Sequence, residues 1–262
     1  MPLNLFMAAT SFVKLDRVDH VVHNYTRING LSSPFWRRAM PKLTAETESR
    51  LTSKGRAMRD RIVQSAADLV YSSGARETTL DQVRSAVGAS KSQLYHYFSD
   101  KDELLHGVID FQGARVIRSQ QPELGAIDSI KSLKRWRDKL VRLCDTHGRT
   151  GGCPTGSLAN ELASHSENHR RELSAHFDCW AAEIERGLLR MQARGYLEPP
   201  LNPKILSITF LSAIQGGLLL AKLQRSSTAL ATALDEIIRF IEFNSRQSRP
   251  SRPRRQKDVG TR

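Results

Sequence analysis

Apolar residues recur with a helical period from residue 59 onward, and no stretch of useful length alternates apolar and polar residues as a strand does. The first stripe joins Ile62, Ala66 and Leu69, and Gly74 then supplies the residue type that commonly ends a helix. The pattern predicts an all-α protein. The predicted helices cover residues 59–73, 80–87, 91–98, 101–120, 127–147, 157–163, 170–194, 204–223 and 228–245.

Three consecutive helices begin with a capping signal. Thr79 and Ser90 each precede a glutamine by three residues, which is the capping-box pattern, and Ser99 precedes an aspartate by three. The first two of these helices are each about two turns long, and Gly88 lies in the short turn between them. Two short helices joined by a tight turn that contains glycine predict a helix-turn-helix motif.

The stretch SKSQLYHYF, which begins at Ser90, concentrates aromatic side chains on one short helix. Leu94 and Phe98 share the face that would pack on a scaffold, whereas Gln93 points broadly away from it. The free amides and positive dipole end of such a helix favour contact with phosphate, and glutamine can read adenine in bidentate fashion. Tyr97 can belong either to this exposed set or to a local aromatic core.

Charge is concentrated at the two ends of the chain. The 262 residues have a formal net charge of +13, of which residues 1–58 carry +5 and residues 245–262 carry +6. The basic tail fits an arm attracted to phosphates, and a solvated tail with no defined partner is the alternative. Residues 1–54 show no sustained period, which predicts loop or disorder, and Met40 opens a stretch that reads as an alternative translation start.

Composition favours a soluble, cytoplasmic protein. The hydrophobic fraction of 39% is ordinary for a globular chain, and the N-terminus lacks the pattern of a signal peptide. Cys144, Cys153 and Cys179 form no CxxC pair, which fits free thiols in a reducing compartment and argues against a structural zinc site. The apolar run at residues 205–221 is slightly too short to span a bilayer, so we expect a buried helix and no membrane partner.

The last two helices are apolar around most of their circumference, and such helices must be covered on most faces. A second subunit is one source of cover, and burial within a single subunit is the alternative. Gly216 and Gly217 would allow close approach of another helix, at a cost in helix propensity. We expect a dimer interface that uses Phe210, Ile214, Gly217, Leu218, Ile237 and Ile241.

Residues 59–109, RDRIVQSAADLVYSSGARETTLDQVRSAVGASKSQLYHYFSDKDELLHGVI, resemble the DNA-binding domain of the TetR family of bacterial transcriptional regulators. The remaining helices resemble the ligand-binding and dimerisation domain of that family in outline, and the stretch GGCPTGSLANELA is similar to one subgroup. The pieces that match in order are Arg59, Ile62, Ala66, Gly74, Thr78, Thr79, Gly88, Ser90, Leu94, Tyr95, Phe98, Lys101, Leu104 and Leu105.

The resemblance implies a three-helix DNA-binding head followed by a helical ligand-binding and dimerisation domain. It implies a homodimer that reads a palindromic operator, a repressor released by a small-molecule effector, and a place in the bacterial cytoplasm at the nucleoid, with no cofactor. The domains would be an N-terminal extension (1–54), the head (55–103), the ligand domain (104–246) and a basic, disordered tail (247–262). Carried over by position, the DNA contacts would be Thr79, Ser90, Lys91, Ser92, Gln93, Tyr95, His96 and Lys101.

One residue departs from the pattern of the family. Arg84 stands four residues before Gly88, where the family often has a small alanine between the two helices. Its side chain would either extend outward or reach a phosphate, and Ala86 would then provide the small contact.

An enzyme is the rival class of function. His147, Cys153 and Ser157 lie near a glycine-rich loop, as in a thiol or serine hydrolase. No acidic partner is placed beside them and the loop is not a nucleophile elbow, so we expect no catalytic site. A redox sensor that uses the free cysteines is a further alternative.

Two more sets of residues invite a binding interpretation. His165 and His169 are four residues apart, with Glu161 one turn earlier, a spacing that can hold a metal. A solvated face is the alternative, and we expect no metal. Helical stripes also suggest an apolar effector pocket, although residues of this kind are more often plain core than ligand wall. The residues of the suggested pocket are Trp136, Leu140, Cys144, Phe177, Trp180 and Ile184.

Overall fold

The computed structural model describes residues 51–148 and 152–247. The chain divides after Asp60 into two units, and the contacts discussed below lie within the second, residues 61–262. The alternative start at Met40, the basic tail and nearly all of the predicted N-terminal extension lie outside the described residues.

Nine helices and no strand are present in the described residues, which confirms the predicted all-α class. Each helix corresponds to one predicted helix, with ends that differ by a few residues. A π-helical turn, Cys144–Gly148, follows directly on α5. The helices are α1 (Ser53–Ser73), α2 (Leu80–Val87), α3 (Lys91–Tyr97), α4 (Lys101–Ser119), α5 (Ile130–Leu143), α6 (Pro154–Leu162), α7 (Glu167–Ala193), α8 (Pro203–Gln224) and α9 (Thr228–Gln247).

Side-chain caps begin the two shortest helices. The Thr79 hydroxyl accepts a hydrogen bond from the Gln82 amide at 3.2 Å, and the Ser90 hydroxyl accepts one from the Gln93 amide at 3.1 Å. The two glutamine side chains in turn accept hydrogen bonds from the cap amides, so both predicted capping boxes are confirmed. α2 ends at Gly88 with φ of 67°, a left-handed conformation that favours glycine and turns the chain into α3.

The cap of α4 differs from the prediction. Asp100, not Ser99, is the N-cap: its carboxylate accepts a hydrogen bond from the Glu103 amide at 2.8 Å, which lowers the pKa of Asp100. Glu103 completes the cap by accepting the Ser99 amide at 2.7 Å. An ionised carboxylate forms a stronger hydrogen bond than a hydroxyl, which explains why the aspartate takes the cap.

The core of the predicted DNA-binding head consists of apolar side chains that are almost completely buried. Ile62 and Ala66 of α1, Val83 of α2, Leu94 of α3 and Phe98 after it are each at most 1% exposed. Ile62 and Ala66 belong to the predicted stripe of α1, and Leu94 and Phe98 form the predicted inner face of α3. The short helices α2 and α3 are therefore held by packing rather than by their own length.

The helices after α4 enclose a second set of buried side chains. α7 packs against α4 and α8, and α9 packs against α8 and α5. Trp136 is fully buried, meets the Phe210 ring edge-on at 5.6 Å between centroids, and donates its indole N–H to Gln120 Oε1 at 3.1 Å. The indole is thus both packed and hydrogen-bonded.

The predicted dimer interface requires correction, because four of its six residues lie inside the chain. Phe210, Ile214 and Ile241 are fully buried. A Cβ atom added to Gly217 would lie 2.7 Å from Leu230 Cα, so this glycine belongs to the contact between α8 and α9. The other two residues, Leu218 and Ile237, are half-buried.

A different set of apolar residues on these helices is exposed, and we call it the outer α8–α9 face. α8 has 22 residues and is long and apolar enough, by length and composition, to cross a membrane, although we expected it to be too short. Only a third of its apolar window is buried. The outer α8–α9 face consists of Ile205, Ile208, Leu219, Leu220, Leu223, Phe240 and Phe243.

Candidate nucleic-acid interface and internal cavity

α3 presents one packed side and one exposed side. Leu94 and Phe98 fix the helix to the head, with 1% and 0% of their surfaces exposed. Tyr95 is 47% exposed, and its ring lies 6.0 Å from the ammonium of Lys91, within the range of a cation–π contact. The remaining exposed residues of the predicted set on this helix and its cap are Ser90, Ser92, Gln93 and His96.

The capping box restricts what Gln93 can offer to a base. Its Oε1 accepts the Ser90 amide at 3.0 Å, which leaves the Nε2 amide as the group that is free to donate. Bidentate reading of adenine needs both the oxygen and the nitrogen of the amide. In this conformation the Gln93 Nε2 amide can donate to an acceptor on a base or a phosphate, whereas Oε1 has one of its two lone pairs engaged by the cap.

Two of the predicted DNA contacts, Thr79 and Lys101, lie in the sequence before and after α3. Lys101 Nζ donates to the Arg76 carbonyl at 2.8 Å, which holds the ammonium beside the turn that precedes α2. Thr79 is exposed, and its hydroxyl is part of the α2 cap. An ammonium has three donors, so Lys101 keeps two for other acceptors.

Tyr97 and Arg84 were left open by the sequence. Tyr97 is half-buried and meets the His96 ring edge-on at 5.0 Å between centroids, so it stands between the packed and exposed sides. The Arg84 guanidinium extends outward to Asp81, with 3.0 Å between Nε and Oδ1. Ala86 is exposed and does not provide the expected small contact.

A cavity of about 470 Å³ is lined by residues of α1 and of α4 to α9. The size is typical of a site for a small molecule. Of the predicted pocket residues, three line the cavity: Leu140, Cys144 and Trp180. The other three, Trp136, Phe177 and Ile184, do not line it. The indole N–H of Trp136 is hydrogen-bonded to Gln120. Residues that the sequence reasoning missed include Tyr71, Gln112, Arg115, Ser119, Cys153 and Leu230.

Two buried polar atoms of cavity-lining residues have no hydrogen-bond partner among the described residues. They are Gln112 Oε1, an acceptor, and Trp180 Nε1, a donor. The other end of the Gln112 amide donates to the Ala67 carbonyl at 3.2 Å, which fixes its orientation. Since buried polar groups are usually hydrogen-bonded, these two atoms can hold a polar group of a ligand or a water molecule.

Tyr71 connects α1 to the loop that precedes α6. Its hydroxyl donates to the Gly152 carbonyl at 3.1 Å, and burial raises the pKa of Tyr71, so it remains a neutral donor. Because α1 is the first helix of the predicted DNA-binding head, one wall of the cavity belongs to that head.

Two family models match the chain. The one described as "Bacterial regulatory proteins, tetR family" matches residues 62–108, and the one described as "Tetracyclin repressor-like, C-terminal domain" matches residues 130–237. The chain belongs to the TetR family. Both halves of the predicted resemblance are therefore confirmed, and this TetR-family protein is a transcriptional regulator with a helix-turn-helix DNA-binding domain.

Curated relatives agree with this assignment. The chain is 29% identical over 189 residues to "Uncharacterized HTH-type transcriptional regulator YxaF" of Bacillus subtilis, covering 71% of this chain and 96% of the relative. It is 28% identical over 179 residues to "Uncharacterized HTH-type transcriptional regulator MT0206" of Mycobacterium tuberculosis, covering 66% and 88%.

Solved structures show the same fold at lower identity. A TetR transcriptional regulator from Chloroflexus aurantiacus superimposes with a TM-score of 0.63 at 23% identity, covering 72% of this chain and 96% of that one. The reduced form of NemR from E. coli gives a TM-score of 0.63 at 19% identity, covering 69% and 95%. These likenesses support the all-α fold.

The enzyme alternative finds no support. Regulators of the TetR family are not enzymes, and the described residues of the proposed group contain no activated nucleophile. Cys153 is buried, its sulfur accepts the Gly156 amide at 3.4 Å, and burial raises its pKa, the opposite of what activates a nucleophilic thiol. The side chain of His147 lies outside what the structure describes, and Ser157 is half-buried.

We expect the cysteines to resist thiol reagents in the native protein. Cys144, Cys153 and Cys179 are all buried and none is in a disulfide, and burial raises the pKa of Cys179 to about 12. At pH 8 the thiolate fraction of Cys179 is then roughly 1,000-fold below that of a free cysteine. Mass spectrometry after brief alkylation should find no modified cysteine in the native protein and all three modified in denaturant. Rapid native modification that changes DNA affinity would support the redox alternative instead.

Proposed function

We propose that this protein is a repressor that binds a palindromic operator as a homodimer and is released by a small-molecule effector. The observation that carries the proposal is the exposed polar side of α3 on a helix whose other side is buried. Lys91, Ser92, Gln93, Tyr95 and His96 lie on that exposed side, beside a capped helix start whose dipole favours phosphate. The two groups on the flanks, Thr79 and Lys101, complete the proposed DNA contact surface.

The outer α8–α9 face supports the dimer. Soluble proteins rarely leave a large apolar patch without cover, and such patches mark interaction surfaces. Gly216 is exposed, and an added Cβ would meet no atom within 4 Å, so another backbone can approach closely there. A second copy of the chain is the proposed occupant, since a two-fold dimer would present one α3 to each half of a palindrome. The proposed location is the cytoplasm, at the nucleoid.

The cavity supports effector control. We assign it an effector with an apolar body and at least one hydrogen-bonding group, because its wall combines Leu140, Leu143 and Ile214 with the unpaired atoms of Gln112 and Trp180. α4 contributes residues to the cavity, and only three residues separate its start from the end of α3. An effector that shifts α4 would therefore move the DNA-contacting helix, which is the proposed route of release.

The direct test is operator binding. Fluorescence anisotropy with inverted-repeat fragments from upstream of the gene should reveal one fragment bound at least about 1,000-fold more tightly than random DNA at physiological salt. A purified protein that shows no preference for any such fragment would contradict the proposed function.

Lys91→Ala should weaken binding to operator and random DNA alike. Its ammonium is exposed at the first turn of α3, so its removal should lower the slope of log affinity against log salt by about 1. Lys131→Ala, at an exposed lysine on α5, is the matched control and should leave the slope unchanged. An unchanged slope in Lys91→Ala would remove this residue from the DNA contact surface.

A further inference from the structure

A cluster of two histidines and two carboxylates joins the start of α4 to the start of α7. Asp102 and His106 stand one turn apart on α4, and His169 and Glu172 stand on α7. The potential ligand atoms of Asp102, His106 and His169 all lie within 4.8 Å of one another. The set differs from the one whose spacing was noted in the sequence, where no metal was expected, since Glu161 accepts a hydrogen bond from the Ala75 amide at 2.6 Å.

The distances within the cluster match a shared cation. His106 Nε2 lies 3.5 Å from Asp102 Oδ2, and His169 Nε2 lies 3.4 Å from Asp102 Oδ1. Two ligands about 2.1 Å from a tetrahedral zinc ion stand roughly 3.4 Å apart. Each nitrogen therefore stands from a different oxygen of Asp102 at about the separation of two ligands of one metal, so a common ion would hold this carboxylate through both oxygens. Both separations are longer than a good hydrogen bond.

His169 supplies an independent sign of a missing partner. Its side chain is only 2% exposed, yet Nε2 has no hydrogen-bond partner among the described residues and is directed at the exposed Asp102 carboxylate. A buried polar atom without a partner is costly unless something occupies the space beside it. A cation between Nε2 and Asp102 would satisfy it.

Glu172 provides the supporting contact that a metal-binding histidine usually has. Its Oε2 lies 2.6 Å from His106 Nδ1, so that an Nδ1–H donates to the carboxylate and the lone pair of Nε2 points into the cluster. This carboxylate–histidine arrangement fixes the tautomer of metal ligands and orients the ring.

We propose that Asp102, His106 and His169 form a binding site for a divalent transition metal of the zinc class, with Glu172 as the positioning residue of His106. Two imidazoles favour Zn²⁺ over Mg²⁺ or Ca²⁺, which prefer oxygen ligands throughout. The Asp102 side chain is 64% exposed, so the ion enters from solvent on that side and keeps one position for water.

The location gives the ion a role in regulation. Asp102 stands in the first turn of α4, next to Lys101 of the proposed DNA contact surface, whereas His169 belongs to the ligand domain. A bound metal therefore fixes the start of α4 to α7. The effect on DNA affinity rests on the proposed function, but metal binding does not, and the experiment below measures metal alone.

The test is zinc titration of the full-length protein after treatment with a chelator, followed by competition with a chromophoric chelator. We expect one site per chain that His169→Ala and Asp102→Asn abolish, and that Glu172→Gln weakens about 10- to 100-fold. Because Asp102 is exposed, Asp102→Asn should leave the fold intact, so loss of metal binding in this variant is not explained by misfolding. His165→Ala is the control, since this exposed histidine one turn before His169 faces Arg76 instead.

Cobalt substitution adds a second readout. Co²⁺ in the proposed site should give visible d–d bands without the sulfur-to-metal charge-transfer band of a cysteine site. Absence of stoichiometric binding overturns the proposal, and so does a site that survives Asp102→Asn and His169→Ala unchanged.

Discussion

Replacing Leu223 and Phe243 together by aspartate should turn the protein into a monomer and lower its operator affinity by at least about 100-fold. The two side chains are 71% and 62% exposed, so the single chain loses little packing from the change. In the proposed dimer each would place a carboxylate in an apolar contact, where an unpaired charge costs several kcal/mol. A monomer has a single DNA-binding head and binds one half-site, so it loses the added affinity that two linked heads provide.

Light scattering after size exclusion measures the oligomeric state, and anisotropy measures operator binding. Leu189→Asp is the matched control, because Leu189 is an exposed leucine on α7, outside the outer α8–α9 face, and is 46% exposed. We expect this control to remain dimeric. A double variant that stays dimeric at micromolar concentration would show that another surface joins the subunits, and membrane association of the wild type would identify a different occupant.

Exchanging the two adjacent glycines of α8 for alanine, one at a time, should change stability in opposite directions. At Gly217 the new Cβ would lie 2.7 Å from Leu230 Cα, a backbone atom that cannot move without separating α8 from α9. Overpacking of this kind costs about 1–3 kcal/mol, which exceeds the gain of about 1 kcal/mol in helix propensity. At Gly216 nothing lies within 4 Å, so the propensity gain remains.

Urea unfolding in the monomeric Leu223→Asp/Phe243→Asp background separates these effects from dimerisation. Gly217→Ala should lower the midpoint and Gly216→Ala should raise it. Equal shifts of the two variants would mean that α8 and α9 do not pack as described.

The contrast between these glycines shows where sequence reasoning stops. The apolar character of α8 was evident from the sequence, but nothing local distinguishes Gly216, which is open, from Gly217, which meets Leu230. The contact is set by how α9 folds back on α8. For the same reason the predicted dimer residues fell on the inner side, at Phe210 and Ile214.

The head was more predictable because its determinants are local. A capping box lies within four residues, and the buried pair Leu94 and Phe98 is separated by one turn.

The residues that line the cavity could be predicted only in part. Leu140 and Cys144 follow from one helical stripe, whereas Gln112 is polar and was not predicted. Its position on the buried stripe of α4, four residues after Val108, was the available signal. The proposed metal site was only partly visible in the sequence: His169 belonged to the histidine pair noted for its spacing, but the contact of His106 with Glu172 joins residues 66 positions apart.

The position of Tyr71 has a consequence for the proposed control by an effector: DNA binding should also change effector binding. Because this α1 residue lines the cavity while α3 would contact the operator in the proposed function, the same head would take part in both binding events. Thermodynamic linkage then requires that DNA weaken effector binding by the same factor by which effector weakens DNA binding. Copies of the protein already bound to operators would respond at higher effector concentrations than free copies, so the number of operators in a cell would set its threshold of induction.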